Sequence, residues 1–323
     1  MKKLSCLTLM TVAFCLGPPA SARNAPIAVE REPDAWTLLP WRTADGVGRV
    51  DGREADSRGP GGFAVSPDGV LFVLDSVNAR VLVRSEAGAP LGEIPLTTST
   101  FEDMEQVEGR ALVLLDRQVG KALLAVDLEG RPLAEVPLDG PGIERPGLVT
   151  AILPRADGVW LEVAHSHSVL VLGPDLSPCP RRIRRGRPGS GGESLHGALG
   201  PDGSVRLWRT DGLSARATKE TTLRAQLPAR RIVWLDQADT GEILAVLETA
   251  RFSRTSPFRV TEQRYEAVWL DEGLTEISRF SSPWVLTALS QRGEIRVTPE
   301  GSVLQMAMSD QGALVLRWEG RAP

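Results

Sequence analysis

The stretch GGFAVSPDGVLFVLDSVNARVLV, residues 61–83, decides the fold of this chain. It contains three short apolar runs that are separated by two polar turns. Pro67, Asp68 and Gly69 form the first turn, in which proline fixes φ, aspartate bonds the local backbone and glycine accepts a positive φ. The stretch therefore predicts three consecutive antiparallel β-strands joined by tight turns.

Weaker copies of this unit recur along the rest of the chain. A fourth apolar run, PLGEIPL at residues 90–96, completes the first unit, and PLAEVPL at residues 132–138 repeats it in the second. The same order of four strands can be followed through six units of roughly 40 to 50 residues, the range expected for propeller repeats. We therefore expect an all-β, six-bladed β-propeller, in which strand a of each blade is innermost and strand d is outermost.

The N-terminal strand is expected to close the ring. The final unit supplies strands a, b and c but no strand d, whereas AWTLLPW at residues 35–41 has no partner nearby in the chain. Pairing this strand with the last blade would bury both open ends of the array. A single propeller domain over residues 35–323 follows. A seven-bladed ring, with an additional degenerate blade in residues 257–293, is the alternative.

The first unit resembles a known repeat family. An apolar residue before Pro-Asp-Gly, followed after the next strand by Asp75, Asn78 and Arg80, is similar to the NHL repeats of six-bladed, TolB-like β-propellers. The match covers residues 62–83, and Asp75, Asn78 and Arg80 are expected to hold the turn. The resemblance implies a ligand-binding face formed by the b–c turns and the d–a connections. Enzymes of the wider group place metal-binding His, Glu, Asn and Asp at the channel mouth, but their motifs have no residue-by-residue counterpart here, which favours a binding module.

The N-terminus has the order of a secretory signal peptide. Lys2 and Lys3 precede an apolar run at residues 4–17, and Ala20-Ser21-Ala22 offers small residues for cleavage after Ala22. We expect a signal peptide over residues 1–22, a disordered leader over 23–34, and a periplasmic or secreted protein. No later run is long enough for a transmembrane helix.

Composition limits the partners. The chain of 323 residues has a formal net charge of -4 and 42% hydrophobic residues, as in an ordinary globular protein. An acidic molecule has no overall attraction to nucleic acid, so any anion site must be local and nucleic acid is not an expected partner. The sequence leaves the oligomeric state open.

Two candidate binding surfaces stand out against this acidic background. An arginine run follows Pro180 and precedes Pro188, and it consists of Arg181, Arg182, Arg184, Arg185 and Arg187. Guanidinium groups bind carboxylate and phosphate groups well, although the run would equally suit a solvated outer strand of blade 3 in which Ile183 alone faces inward. The second candidate is a long insertion at residues 250–261, which contains Phe252 and Phe258. Such a loop suits a partner-binding role or an ordinary insertion.

The three histidines are a candidate metal site. His165 and His167 lie in the expected b–c turn of blade 3, and His196 lies at the start of the strand expected to be strand a of blade 4. Neutral imidazoles suit zinc or copper, but a solvated turn is the simpler interpretation.

Two functions of different class remain. The preferred one is an exported, non-catalytic propeller without a cofactor that docks a protein or an anionic envelope polymer. The arginine run, Phe252 and Phe258 would contribute to that surface. The alternative is a metal-dependent hydrolase or lyase at the channel mouth that uses His165, His167 and His196 with a divalent ion.

Overall fold

The computed structural model describes residues 29–30, 33–52, 57–212, 216–238, 240–282, 293–298 and 301–318. These residues form six sheets, each containing four antiparallel strands, and the innermost strands of successive sheets contact one another around a ring. The predicted six-bladed β-propeller is confirmed. The predicted signal peptide and most of the predicted leader lie outside the described residues.

Two short segments begin the described chain, β1 (Val29–Glu30) and β2 (Asp34–Pro40). The first three blades then follow in order, each with strands a to d running from the inside to the outside. Blade 1 contains β3 (Gly62–Val65), β4 (Leu71–Asp75), β5 (Arg80–Arg84) and β6 (Pro90–Pro95). Blade 2 contains β7 (Asp103–Val107), β8 (Ala111–Asp116), β9 (Ala122–Asp127) and β10 (Pro132–Pro137). Blade 3 contains β11 (Val149–Arg155), β12 (Gly158–Val163), β13 (His167–Leu172) and β14 (Pro178–Arg185).

The remaining three blades continue this order. Blade 4 contains β15 (Arg187–Pro188), β16 (Ser194–Leu199), β17 (Val205–Thr210) and β18 (Ala217–Leu223). Blade 5 contains β19 (Ala229–Gln237), β20 (Ile243–Phe252), β21 (Val260–Leu270) and β22 (Glu276–Ser282). Blade 6 contains β23 (Ile295–Val297), β24 (Val303–Met308) and β25 (Gly312–Trp318). Short 3-10 turns occur at Ser76–Asn78, Pro146–Leu148 and Ser190–Gly192.

The N-terminal strand closes the ring as predicted. β2 pairs antiparallel with β25, with Leu38 opposite Leu314 and Pro40 opposite Gly312, and so serves as strand d of blade 6. β1 adds a parallel edge strand to β22 of blade 5. The seven-bladed alternative is wrong, because the described strands of residues 257–293 are β21 and β22, the outer strands of blade 5.

The first blade owes its regularity to its turns. Gly69 has a φ of 81° and donates its N–H to the carbonyl of Ser66, which closes the a–b turn. In the b–c turn the buried Asp75 carboxylate accepts hydrogen bonds from Asn78 at 2.8 Å and Arg80 at 3.0 Å. Asp75 also accepts a bond from the Gly48 N–H at 2.9 Å. The expected structural role of these turn residues is confirmed.

Blade 4 differs from the sequence prediction. The segment HGALGPDG, residues 196–203, was expected to begin strand a, but β16 is strand b, and strand a is β15, Arg187–Pro188. Pro188 has no N–H to extend a strand ladder, and Gly191 and Gly192 have φ values of 63° and 83°, so β15 ends after two residues. The Pro-Asp-Gly turn at 201–203 closes a b–c hairpin here, although in blade 1 it closes an a–b hairpin.

Blade 5 also differs from expectation, because residues 250–261 are a loop only in part. β20 and β21 extend into the two ends of this segment, as far as Phe252 and Val260, with Ala250 opposite Gln263 and Arg251 opposite Glu262. Arg251 and Glu262 also form an ion pair at 3.0 Å across the two strands. The apparent insertion is therefore a hairpin extension with a tip at residues 253–259.

The regular strand order places all b–c turns on one side of the ring, which we term the b–c face. These turns are residues 76–79, 117–121, 164–166, 200–204, 253–259 and 309–311. Apolar clusters fill most of the spaces between neighbouring blades, for example that of blades 2 and 3 around Leu123 and Leu161. The apolar cluster on the face of blade 3 that points to blade 4 is much smaller than the others and centres on Trp160. The contact between blades 3 and 4 is consequently the least apolar of the ring, and the candidate site lies beside it.

Candidate functional site

The inner strands surround a central channel with a cavity of about 760 Å³. Its walls carry charged side chains from blades 2, 5 and 6, together with Arg58 and Arg187. Sequence reasoning missed these residues. Their only signal was charge at alternate positions of inner strands, as in Asp103 and Glu105 of β7, a pattern equally typical of a strand facing solvent.

Arg296 joins blade 6 to blade 2 in the channel wall. Its guanidinium lies 3.1 Å from the Asp103 carboxylate and 3.0 Å from the Glu105 carboxylate, and it also donates to the carbonyl of Met104. Burial raises the pKa of Glu105 to about 8, with Arg296 opposing the shift and Asp103 adding to it. One cation therefore holds two adjacent carboxyl groups, and Glu105 is the one that gains a proton near neutral pH.

A second charged group occupies the blade 5 side of the channel. Arg231 contacts both Glu294 and Glu248, the latter at 2.9 Å, and the Tyr265 hydroxyl donates to Glu294 at 3.2 Å. Burial raises the pKa of Glu294, and Arg231 opposes that shift. Burial and the nearby Glu294 carboxylate raise the pKa of Tyr265.

A side pocket of about 260 Å³ opens where strand a of blade 4 is short. It adjoins the channel, because His165, Arg187, Arg231 and Ile232 line both spaces. Its back wall is β16, and residues 230–232 with Leu235 form one side. We call this space the blade 4 pocket. It has the position that inner-strand residues occupy in the other blades.

Two arginines connect blades 3 and 5 past the blade 4 pocket. Arg187 binds Glu162 through two contacts, Nε to Oε1 at 2.6 Å and Nη2 to Oε2 at 2.9 Å, and its Nη1 donates to the Leu235 carbonyl. Arg155 donates to the Pro188 carbonyl at 3.0 Å and pairs with Asp236. Burial by itself raises the pKa of Glu162, but Arg187 and His165 outweigh it and hold the pKa well below its usual range.

The arginine run is dispersed rather than gathered into one free surface. Arg181 donates to the carbonyls of Pro137, Leu138 and Asp139 at the end of blade 2. The Arg182 and Arg184 guanidinium groups lie 5.5 and 5.4 Å from the centre of the Trp160 ring, and Arg182 pairs with Asp157 at 3.0 Å.

Arg185 is exposed at the end of β14, whereas Arg187 lies in the pocket wall. β14 is strand d of blade 3, which is the outer-strand alternative that the sequence left open. Ile183 was expected to face inward, but 57% of its surface is exposed.

The structure brings two of the three histidines together. His165, whose Nδ1 lies 2.9 Å from Glu162, and His196, whose ring stacks on Trp208, both line the blade 4 pocket. Burial and the nearby Arg185 lower the pKa of His196. His167 does not line the pocket, and its Nε2 donates to the Gly142 carbonyl at 2.8 Å. Among the described residues, no group of three or more His, Cys, Asp or Glu side chains is placed to hold a metal ion.

The blade 5 hairpin carries both phenylalanines of the predicted site. Phe252 ends β20 with 41% of its surface exposed, and Phe258 lies in the tip with 74% exposed. The Arg230 guanidinium lies 4.9 Å from the centre of the Phe252 ring and also lines the blade 4 pocket. The hairpin and the pocket are therefore neighbours on the b–c face.

Comparison with known proteins finds a likeness in structure but not in sequence. No protein-family model matches the chain, and no curated protein matches it in sequence. Hydrazine synthase from Kuenenia stuttgartiensis has a similar structure, with a TM-score of 0.50 and 12% identity over 81% of this chain and 80% of that one.

Two other solved structures are similar over most of the chain. BamB from Moraxella catarrhalis has a TM-score of 0.40 and 11% identity, covering 90% of this chain and 99% of its own. Streptogramin B lyase has a TM-score of 0.43 and 12% identity, covering 88% and 98%. Of these three structures hydrazine synthase alone reaches a TM-score of 0.50, and at 12% identity that likeness shows a similar fold and nothing further. In the described residues, no helix is long and apolar enough to cross a membrane. The closer resemblance to NHL repeats stays a prediction.

Proposed function

We propose that this protein is an exported, non-catalytic β-propeller that docks a protein partner on its b–c face. The blade 5 hairpin carries the proposal. β20 and β21 are ten and eleven residues long, against five or six for strands b and c of blade 1 to blade 3. Four to six additional residues per strand extend the hairpin by about 13–20 Å. Its exposed Phe258 and Phe252 lie beside arginines, a composition typical of the residues that anchor protein interfaces.

The placement of the arginines favours a protein over an anionic polymer. Arg181 is engaged with backbone carbonyls and Arg187 with Glu162, so these two guanidinium groups are committed to contacts within the chain. A polymer site needs several free cations in one row. The hairpin instead offers exposed apolar rings with Arg230 beside that of Phe252, which suits a partner surface that is partly apolar and partly acidic.

The channel carboxylates are held by arginines in contacts that connect blades. These contacts give the carboxylates a structural role, which supports a binding function over a catalytic one. Glu162 is bonded to Arg187, Glu294 to Arg231, and Asp103 and Glu105 to Arg296. These pairs connect blades, as Arg296 shows between blades 6 and 2. Export is proposed from the signal-peptide pattern of residues 1–22.

Variants of the hairpin test the docking role. The partner is isolated with tagged full-length protein from the envelope of the source cells, purified, and its affinity is measured for the wild type, Phe252→Ser and Phe258→Ser. We expect each substitution to weaken binding by about tenfold or more, because anchor residues dominate interface energy. Leu133→Ser, on the exposed outer strand of blade 2, is the matched control and should bind like the wild type.

Equal affinity of all four proteins would remove the hairpin from the proposal.

The same preparation tests export. The exported chain should begin at Arg23, which N-terminal mass analysis shows directly. A cytoplasmic chain that retains residues 1–22 would contradict export.

A further inference from the structure

We propose that the inner edge of β16 accepts an extended peptide segment of a partner protein, which pairs with His196–Leu199 and takes the place of the missing part of strand a. The inference rests on the proposed function in that the segment belongs to the docked partner. It names the chemical class of ligand that the blade 4 pocket binds.

The length of β15 leaves most of β16 without an inner neighbour. β16 has six residues, but β15 pairs only with Ser194 and Leu195. In the described part of the chain no strand pairs with His196, Gly197, Ala198 or Leu199 on this side. The opposite side of β16 is fully paired with β17. An unpaired edge of four residues therefore faces the blade 4 pocket.

The hydrogen-bond pattern identifies the groups on this edge. Gly200 donates its N–H to the Ser204 carbonyl, which places Gly200 in a hydrogen-bonded pair with the neighbouring strand. Because such pairs alternate along an antiparallel ladder, Ala198 and His196 also bond to β17. The N–H and C=O groups of Gly197 and Leu199 therefore point away from β17, toward the pocket. Gly197 and Leu199 are two positions apart in the strand, so their N–H and C=O groups present the donor and acceptor pattern that an added strand requires.

The sides of the pocket keep this edge accessible. Side chains of β19 pack on the face of β16, where a Cβ on Gly197 would lie 2.9 Å from both Ile232 and Leu235. The edge itself borders a pocket of about 260 Å³ that continues into the channel. Arg187 and Arg155 support blades 3 and 5 on either side, so the space does not depend on a strand to hold it open.

The pocket walls indicate the side chains that the segment carries. Leu199 has 44% of its surface exposed and, with Ile232 and Leu235, offers an apolar contact. Arg230 stacks on Phe252, and no described carboxylate forms an ion pair with it. A segment with an apolar residue beside Leu199 and an acidic residue toward the b–c face would match both features. Arg230 lies toward that face, since the preceding residue, Ala229, donates its N–H to the Gly203 carbonyl of the b–c turn.

The peptide ligand for the test is obtained by selection from a library. A displayed library of random dodecapeptides is panned on the full-length protein, and the enriched peptides are synthesised. Binding is measured to the wild type, to Leu199→Pro and to Leu199→Ala. Leu199→Pro deletes an N–H that points to the pocket and bonds to no described strand, whereas Leu199→Ala keeps that N–H. We expect Leu199→Pro to weaken binding by about tenfold or more and Leu199→Ala to weaken it less.

A second measurement uses only the wild-type protein. Each peptide is methylated in turn at every backbone nitrogen, and amide exchange is followed at Gly197 and Leu199. Methylation at every second backbone nitrogen of the peptide should abolish binding, and methylation at the nitrogens between them should not. Bound peptide should slow amide exchange at both Gly197 and Leu199. The proposal is overturned if no peptide is enriched, if methylation has no alternating effect, or if the protected amides lie elsewhere.

The hairpin experiment separates this inference from the proposed function. Hairpin-dependent partner binding without any peptide at β16 would refute the inference alone. Peptide binding at β16 with a partner that is insensitive to Phe252 and Phe258 would refute the proposed hairpin docking alone.

Discussion

Arg296 holds two carboxyl groups at once, and this arrangement decides the protonation of Glu105. Asp103 and Glu105 point from the same side of β7 because they are two residues apart in a strand. A single guanidinium cannot compensate two buried negative charges fully, so one carboxyl group takes up a proton. The sequence shows both acids, but only the closed ring brings Arg296, 191 residues beyond Glu105, within 3.0 Å.

Glu105→Gln should flatten the pH dependence of stability. A buried carboxyl group with a pKa near 8 binds a proton in the folded state between about pH 4.5 and 8 that the unfolded chain lacks. The free energy of unfolding then falls as pH rises through this window, by up to about 1.4 kcal/mol per pH unit, and Gln removes that contribution. Urea unfolding of both proteins from pH 5 to pH 8.5 measures it.

The difference between the two stability curves isolates Glu105, because Glu294 and Glu266, whose pKa values burial also raises, are present in both proteins. Glu144→Gln, at an exposed position, is the control and should leave the slope unchanged. Parallel curves for the wild type and Glu105→Gln would show that Glu105 is ionised throughout the window.

At the scale of the strand, turn chemistry made the first blades predictable and the fourth one not. The strands of blade 1 follow from intact Pro-Asp-Gly and Asp-x-x-Asn-x-Arg signals, and the prediction for β14 rests on its position after two regular strands. In blade 4 the same Pro-Asp-Gly signal closes a different hairpin. A turn motif specifies two adjacent antiparallel strands but not their place in the blade. A two-residue inner strand has no hydrophobic periodicity by which it could be recognised.

Arg187→Met should show how much the Arg187 side chain stabilises the contact between blades 3 and 5. It removes the cation that compensates the buried Glu162 and the contact to the Leu235 carbonyl, so we expect a loss of about 3–5 kcal/mol in the free energy of unfolding. The double variant Arg187→Met with Glu162→Gln should recover part of this loss, because no buried charge is left unpaired. Chemical denaturation of the single and double variants gives both values.

Arg182→Met is the matched control for this comparison. Arg182 belongs to the same arginine run and is 58% exposed, so its pair with Asp157 should contribute no more than about 1 kcal/mol. If Arg187→Met and Arg182→Met lower the free energy of unfolding equally, Arg187 does not stabilise the contact between blades 3 and 5.

For the whole molecule, the repeats and the unpaired N-terminal strand were sufficient to predict the ring. The candidate site was not predictable, because a channel is lined by residues from distant units and depends on their mutual orientation. His165 and His196 meet in one pocket although 31 residues separate them, while His167, two residues from His165, points to Gly142. The two side chains diverge because His165 lies in the b–c turn with a φ of 53°, whereas His167 begins strand β13.

Leu39→Ala should weaken the whole ring from its point of closure. Leu39 of β2 is 2% exposed in the apolar cluster between blades 6 and 1, and its truncation should cost about 2–5 kcal/mol. If the ring unfolds as one unit, protection of amides against hydrogen exchange should fall by the same free energy in β12 of blade 3 as in β25 of blade 6. Leu38→Ala, with 42% of its surface exposed, should change both by less than about 0.5 kcal/mol. Loss of protection confined to blades 6 and 1 would instead show that closure stabilises only the blades it joins, because the remaining contacts between blades then suffice on their own.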